Sequence, residues 1–177
     1  MANCHRHCLS APVVALHVII LPQLLFALFA ERGEFVRSEN ILISPFHFCM
    51  RSQGGEMACH SSPNSLLRLA LGLMAACVYA PVALLMFTIM AYLFALCYDD
   101  KKVLWWSVAG QYLSSGLMVF GLTAFIVNYW NHIQLTDLTL AFHFTTLSCA
   151  EIMAAAALSN SSGKDFECKK SLTYTMP

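Results

Sequence analysis

Hydrophobic residues gather into four runs, at 11–30, 69–98, 103–127 and 138–158, and polar residues fill the stretches between them. Each run is long enough for a helix to cross the roughly 30 Å hydrocarbon core of a bilayer. The pattern predicts a membrane all-α protein, a four-helix transmembrane bundle. It leaves a first loop at 31–68, a tight turn at 99–102, a short second loop at 128–137, and polar ends at 1–10 and 159–177. The first loop carries a period-two pattern. Phe46, Phe48 and Met50 alternate with His47, Cys49 and Arg51, as on a strand with unlike faces. Gln53-Gly54-Gly55 supplies a reversal, residues 56–60 can run back antiparallel, and Asn40-Ile41-Leu42-Ile43 offers a further strand. A small extracellular β-sheet on a helical bundle is the expected fold.

Each arm of that hairpin holds a cysteine. A bridge between Cys49 and Cys59 would close an 11-residue loop and contribute roughly 3 kcal/mol on the chain-entropy model. It would persist only in an oxidising compartment, which places the loop outside the cytosol; the alternative is two reduced thiols in a loop. The positive charges give an independent orientation. Arg6, Lys101, Lys102, Lys164, Lys169 and Lys170 all fall on the side away from the hairpin, so the positive-inside tendency puts both termini in the cytosol. A multi-pass plasma-membrane protein is expected. The sequon Asn160-Ser161-Ser162 would then be cytosolic and carry no sugar.

Composition narrows the class. Of 177 residues, 58% are hydrophobic and only 11% charged, with zero formal net charge, whereas a soluble domain has about 25% charged residues. Neutral balance argues against a nucleic-acid partner, since no basic surface is available to displace phosphate counterions. In the first loop Glu31, Glu34, Glu39 and Glu56 balance Arg32, Arg37, Arg51 and Arg68, which reads as a solvated rim. The first run contains His17, Gln23 and a kinking Pro22. A cleaved signal peptide ending at Leu28-Phe29-Ala30 is its rival reading, and a retained helix is preferred. Pro81 interrupts the second run. The third run carries Gly110, Ser114, Ser115, Gly116 and Gly121, small residues that let helices approach closely, and Tyr129 and Trp130 anchor its end at the interface.

Candidate chemistry is sparse. Glu151 in the fourth run is an intramembrane carboxylate, a functional hypothesis by default. The blander reading, a neutral Glu bonded to another helix, is preferred. His143 lies eight residues earlier, about 12 Å along a helix and about 80° round it, too far for cooperation. No catalytic set, metal, cofactor or small-molecule substrate is therefore expected. Cys4, His5, His7 and Cys8 hint at zinc, but no second pair follows at finger spacing, and surface thiols are the preferred reading.

Four spans with cytosolic ends, a long first and a short second external loop, and two first-loop cysteines resemble the claudin superfamily, with its peripheral myelin protein, epithelial membrane protein and orphan branches. That family's motif is Gly-Leu-Trp followed by two residues and a cysteine, then a second cysteine. Ser44-Pro45-Phe46, His47-Phe48, Cys49 and Cys59 fall at this spacing. Phe46 replaces the tryptophan, no tryptophan precedes Trp105, and Thr175-Met176-Pro177 lacks the Tyr-Val end that binds PDZ scaffolds. The likeness is therefore to a divergent orphan member, some of which are associated with germ cells. It implies cell adhesion, a junctional role or membrane scaffolding through the hairpin. Lipid, self-association and other membrane proteins would be the partners. It also implies palmitoylation at Cys97 and Cys168. The alternative is an accessory subunit of a channel, a receptor or protein phosphatase 1. Lys102-Val103-Leu104-Trp105 fits that phosphatase's basic–Val–x–aromatic docking pattern, although Val103 should already be entering the membrane.

Overall fold

The computed structural model describes the backbone of residues 2–30, 33–45, 47–51, 57–60, 65–98, 100–130 and 134–174. Side chains are described throughout these segments except at 2–10, 30, 57–58, 60, 65–71, 135 and 162–174. Helix α1 spans Ala2–Leu25 and passes into a π-helical turn, Phe26–Ala30. Helices α2 (Ser65–Tyr98), α3 (Lys101–Tyr129) and α4 (Leu140–Tyr174) follow. Within them Ala11–Phe29, Gly72–Tyr98, Lys101–Tyr129 and Leu140–Ser161 are each long and apolar enough to cross a membrane.

The helices are turned inside out relative to a soluble bundle. Phe87, Met90, Phe120 and Val127 point outward, while Thr88, Ser107, Gln111, Ser114, Ser115, Thr145 and Ser148 are buried. Lipid offers hydroxyls and amides no partner, so they turn to neighbouring helices. Helix α2 packs chiefly on α3, and α4 packs on both α3 and α1. Trp105 and Trp106 stand exposed near one end of α3 and Trp130 just past the other. From Trp106 to Trp130 the helical rise is about 36 Å, which matches aromatic anchors at the two faces of one bilayer. The start of α3 is capped by Asp100, whose side chain accepts from the Lys102 N–H at 2.8 Å.

Helix α4 continues well past its apolar span, through part of what the sequence suggested was a polar tail. The segment after Ser161 is polar, but it contains no proline before Pro177, so nothing removes a rung of the hydrogen-bond ladder.

Between α1 and α2 the chain forms an antiparallel four-stranded meander. Its strands are β1 (Val36–Arg37), β2 (Ile41–Ile43), β3 (Phe48–Arg51) and β4 (Met57–His60), in the order β1-β2-β3-β4. The register sets Ile43 opposite Phe48 and Cys49 opposite Cys59. Strand β1 was not anticipated: it has two residues and no alternation long enough to detect. The Gln53-Gly54-Gly55 reversal lies outside the described residues.

Candidate functional site

The sheet is fixed to the bundle by backbone and by aromatic packing. Val36 bridges Leu138, and the Thr139 N–H donates to the Phe35 carbonyl at 3.1 Å. The Thr139 hydroxyl donates to the Glu34 carbonyl. The loop between α3 and α4 thus serves as an additional edge for the first loop. Beneath it Phe35, fully buried, meets Phe125 edge-on at 5.2 Å between ring centroids and Phe142 edge-on at 5.8 Å. Phe48 stacks on Tyr129 at 5.9 Å, and Tyr129 in turn packs on Phe125 at 5.3 Å. Such pairs add to simple burial. Two rings from the sheet region, two from α3 and one from α4 therefore form one joint.

Cys49 and Cys59 are disulfide-bonded across β3 and β4. Because the bridge joins directly paired residues, it locks the register at the place where a slip would turn Phe48 away from Tyr129. The Arg37 guanidinium donates to the buried Glu34 carboxylate, holding β1 against the loop that enters it. Gly33, at φ +61°, turns the chain from the π-helical turn into the sheet. Its backbone lies against Tyr79 of α2, whose hydroxyl donates to the Leu28 carbonyl at 3.3 Å.

The residues singled out in the sequence fall in several places. Ser44 is buried and shapes a turn: its hydroxyl accepts from the His47 N–H at 3.0 Å, and its own N–H donates to the His47 carbonyl at 2.9 Å. Pro45 is buried beside it, and Phe46 lies outside the described residues. A Cβ built on Gly110 would come within 2.3 Å of Thr88 Cγ2, and one on Gly121 within 3.1 Å of Cys77 Cβ, so both mark close approaches of α3 to α2. Ser114 donates to the Pro81 carbonyl at 3.1 Å, also on α2. Ser115 ties α3 to Cys149 of α4. Gly116 corrects the expectation: it is exposed, with nothing within 4 Å of a Cβ, because it sits on the outward face of α3.

Lys102, Val103 and Trp105 form the first turn of α3, with Val103 packed against a buried cluster and Trp105 pointing outward. An extended docking segment would require that turn to unwind. Cys97 is exposed at the end of α2. Cys168 lies in the distal part of α4, and its side chain, like those of Cys4, His5, His7 and Cys8, is outside the described residues.

Glu151 is half-buried, and its Oε2 is buried without a hydrogen-bond partner among the described residues. His143 is exposed and packs on the Phe142 ring. Among the described residues no group of three or more His, Cys, Asp or Glu could share a metal ion. What sequence reasoning missed is a buried polar set inside the helices: His17, Tyr92, Gln111 and the Gln23–Ser148 contact. Its signal was a polar residue inside each apolar run.

The model of the TM140 protein family matches residues 3–168. This overturns the resemblance to the claudin superfamily. The match runs from α1 through the sheet and into α4, whereas that likeness rested on the layout of four spans and two loops and, residue by residue, on a short stretch around two cysteines. Ser44, Pro45 and Phe46 are accordingly not positions of a claudin motif, and Ser44 has its own explanation as a turn residue.

Proposed function

The chain belongs to the TM140 protein family, and on that footing we propose that it is a non-enzymatic multi-pass membrane protein whose working surface is the stapled sheet. This surface contacts other membrane proteins from outside the cytosol, with both termini inside. The observation that carries the reading is the joint just described. A loop used only as a connector needs neither a disulfide nor five interlocked rings to hold it in one orientation. A surface held rigidly avoids an ordering cost on binding, which is how pre-organisation raises affinity. Met50 and Arg51 on β3 are exposed above this joint.

A photo-crosslinking amino acid at Met50, with a second variant bearing it at the outward-facing Phe120, tests the reading in cells. Discrete protein adducts should form from position 50 and disappear when Cys49 and Cys59 are both serine. Adducts formed only from position 120, or unchanged without the bridge, would remove the sheet as the working surface. Orientation has a separate check: sugar found on Asn160 would reverse the proposed topology.

A second reading, an accessory subunit held to a larger membrane protein, is favoured by Glu151. A carboxylate oxygen without a partner on a membrane-spanning helix suits a polar residue of a neighbouring helix. Co-purification of a partner that is lost with Glu151→Leu and kept in the double serine variant would choose this reading over the first.

A further inference from the structure

Three side chains in the bundle interior, one from each of α1, α2 and α3, are almost wholly buried, each with a polar atom that has no partner among the described residues. They are His17 (3% exposed), Tyr92 (1%) and Gln111 (0%), and the atoms are His17 Nε2, the Tyr92 hydroxyl and Gln111 Oε1. An unmet polar atom at this depth costs on the order of a hydrogen bond or more. Three such atoms, one on each of three helices, call for an explanation.

They do converge. The His17 and Tyr92 rings stack with centroids 6.0 Å apart. Tyr92 sits one turn after Thr88 on α2, and helical side chains lean toward the preceding turn, so its hydroxyl is directed toward Thr88. The Thr88 carbonyl accepts from Ser107 Oγ at 2.8 Å, and Ser107 Oγ accepts from the Gln111 amide nitrogen at 3.4 Å. Gln111 is thereby drawn to the same turn of α2.

The donor and acceptor roles are fixed by neighbours. His17 Nδ1 lies 2.7 Å from the Val13 carbonyl, which can only accept, so Nδ1 carries the proton and Nε2 of the neutral ring is a bare acceptor. The Gln111 amide nitrogen is engaged with Ser107, leaving Oε1 as a second acceptor. The Tyr92 hydroxyl can donate. The complement of two acceptors and one donor is a molecule with two donors and one acceptor.

We propose that His17, Tyr92 and Gln111 form an internal hydration site, in which one water donates to His17 Nε2 and Gln111 Oε1 and accepts from the Tyr92 hydroxyl. Buried waters in proteins make about three such bonds. The site joins α1 to the α2–α3 pair through solvent.

Two measurements on the full chain in lipid nanodiscs test this, with water itself as the probe. In the first, solid-state NMR of ¹⁵N-histidine protein should show an unprotonated His17 Nε2 with a cross-peak to a water proton. In the second, Tyr92→Phe deletes only the hydroxyl. It should lower the folded-to-unfolded ratio about five- to ten-fold, because it strips a partner from the water. Gln111→Leu should lower it similarly, and the pair together by scarcely more than either alone. A Tyr92→Phe variant as stable as the parent or more so, losses that multiply in the pair, or a missing water cross-peak in the parent would each overturn the proposal. The spectrum of the parent decides even where a variant fails to fold.

Discussion

Replacing Gly33 with alanine should loosen the hinge between the first helix and the sheet by two separable effects. The backbone there is at φ +61°, a left-handed conformation that costs an ordinary L-residue about 1–2 kcal/mol. The new Cβ would also come within 2.4 Å of the Tyr79 hydroxyl. That oxygen is the end of a side chain and can retreat. It would then give up its hydrogen bond to the Leu28 carbonyl and shift the edge-on contact of Tyr79 with Phe29, at about 1 kcal/mol for the bond. Together Gly33→Ala should cost roughly 2–4 kcal/mol. Equilibrium unfolding in mixed micelles, followed by protease cleavage of the first loop, measures it. Adding Tyr79→Phe removes the atom in the way, so the double variant should cost less relative to Tyr79→Phe than Gly33→Ala does relative to the parent. A Gly33→Ala protein within about 0.5 kcal/mol of the parent, the range of an uneventful surface change, would refute the reasoning. So would a cost that Tyr79→Phe leaves wholly unaltered.

Other consequences are open to the same assay. Gly110→Val should destabilise by about 1–3 kcal/mol through overpacking against Thr88, whereas Gly116→Val should be neutral; equal effects would mean that α3 is rotated from its described face. Cys49→Ser with Cys59→Ser should cost up to about 3 kcal/mol and make the first loop protease-sensitive while leaving the helices intact. Phe35→Ala, in the centre of the joint, should cost about 3–5 kcal/mol and abolish quenching between probes placed on β3 and α3; retained quenching would show that the backbone links alone hold the sheet. Arg37→Ala should change stability by at most about 1 kcal/mol, because its guanidinium is largely exposed although its partner Glu34 is buried.

The helices were legible because lipid imposes a simple demand, an unbroken apolar run of sufficient length, and the four runs meet it without competition. The hairpin was legible because alternation at 46–51 and paired cysteines agree on one register. Strand β1 and the Val36–Leu138 bridge were not legible, since they depend on two loops meeting over the bundle, and sequence periodicity says nothing about that. Faces of the helices were only half readable. Gly110, Gly116 and Gly121 look alike in a string, yet only the outer two meet α2, because Gly116 falls near the opposite side of the helical wheel from both. The buried polar set was present as His17, Tyr92 and Gln111, but each stood among other polar residues of its own run, such as Gln23, Thr88 and Ser114. Only packing shows His17 against Tyr92, and Gln111 linked through Ser107 to Thr88.

The mistaken family likeness has a physical origin. A loop leaving and re-entering a bundle on one side favours a meander, and a meander in an oxidising space is most simply stapled across a directly paired position of its last hairpin. Once the turn length is set, the spacing of the two cysteines follows from that geometry, here Cys49 opposite Cys59. Unrelated chains facing the same problem will converge on that spacing, so it reports an architecture and not a lineage. Residues solving a problem peculiar to one chain carry more. Gly33 against Tyr79, Ser44 closing on His47, and Thr139 reaching back to Glu34 and Phe35 are contacts that the generic solution does not require. These contacts set how the sheet stands on its helices.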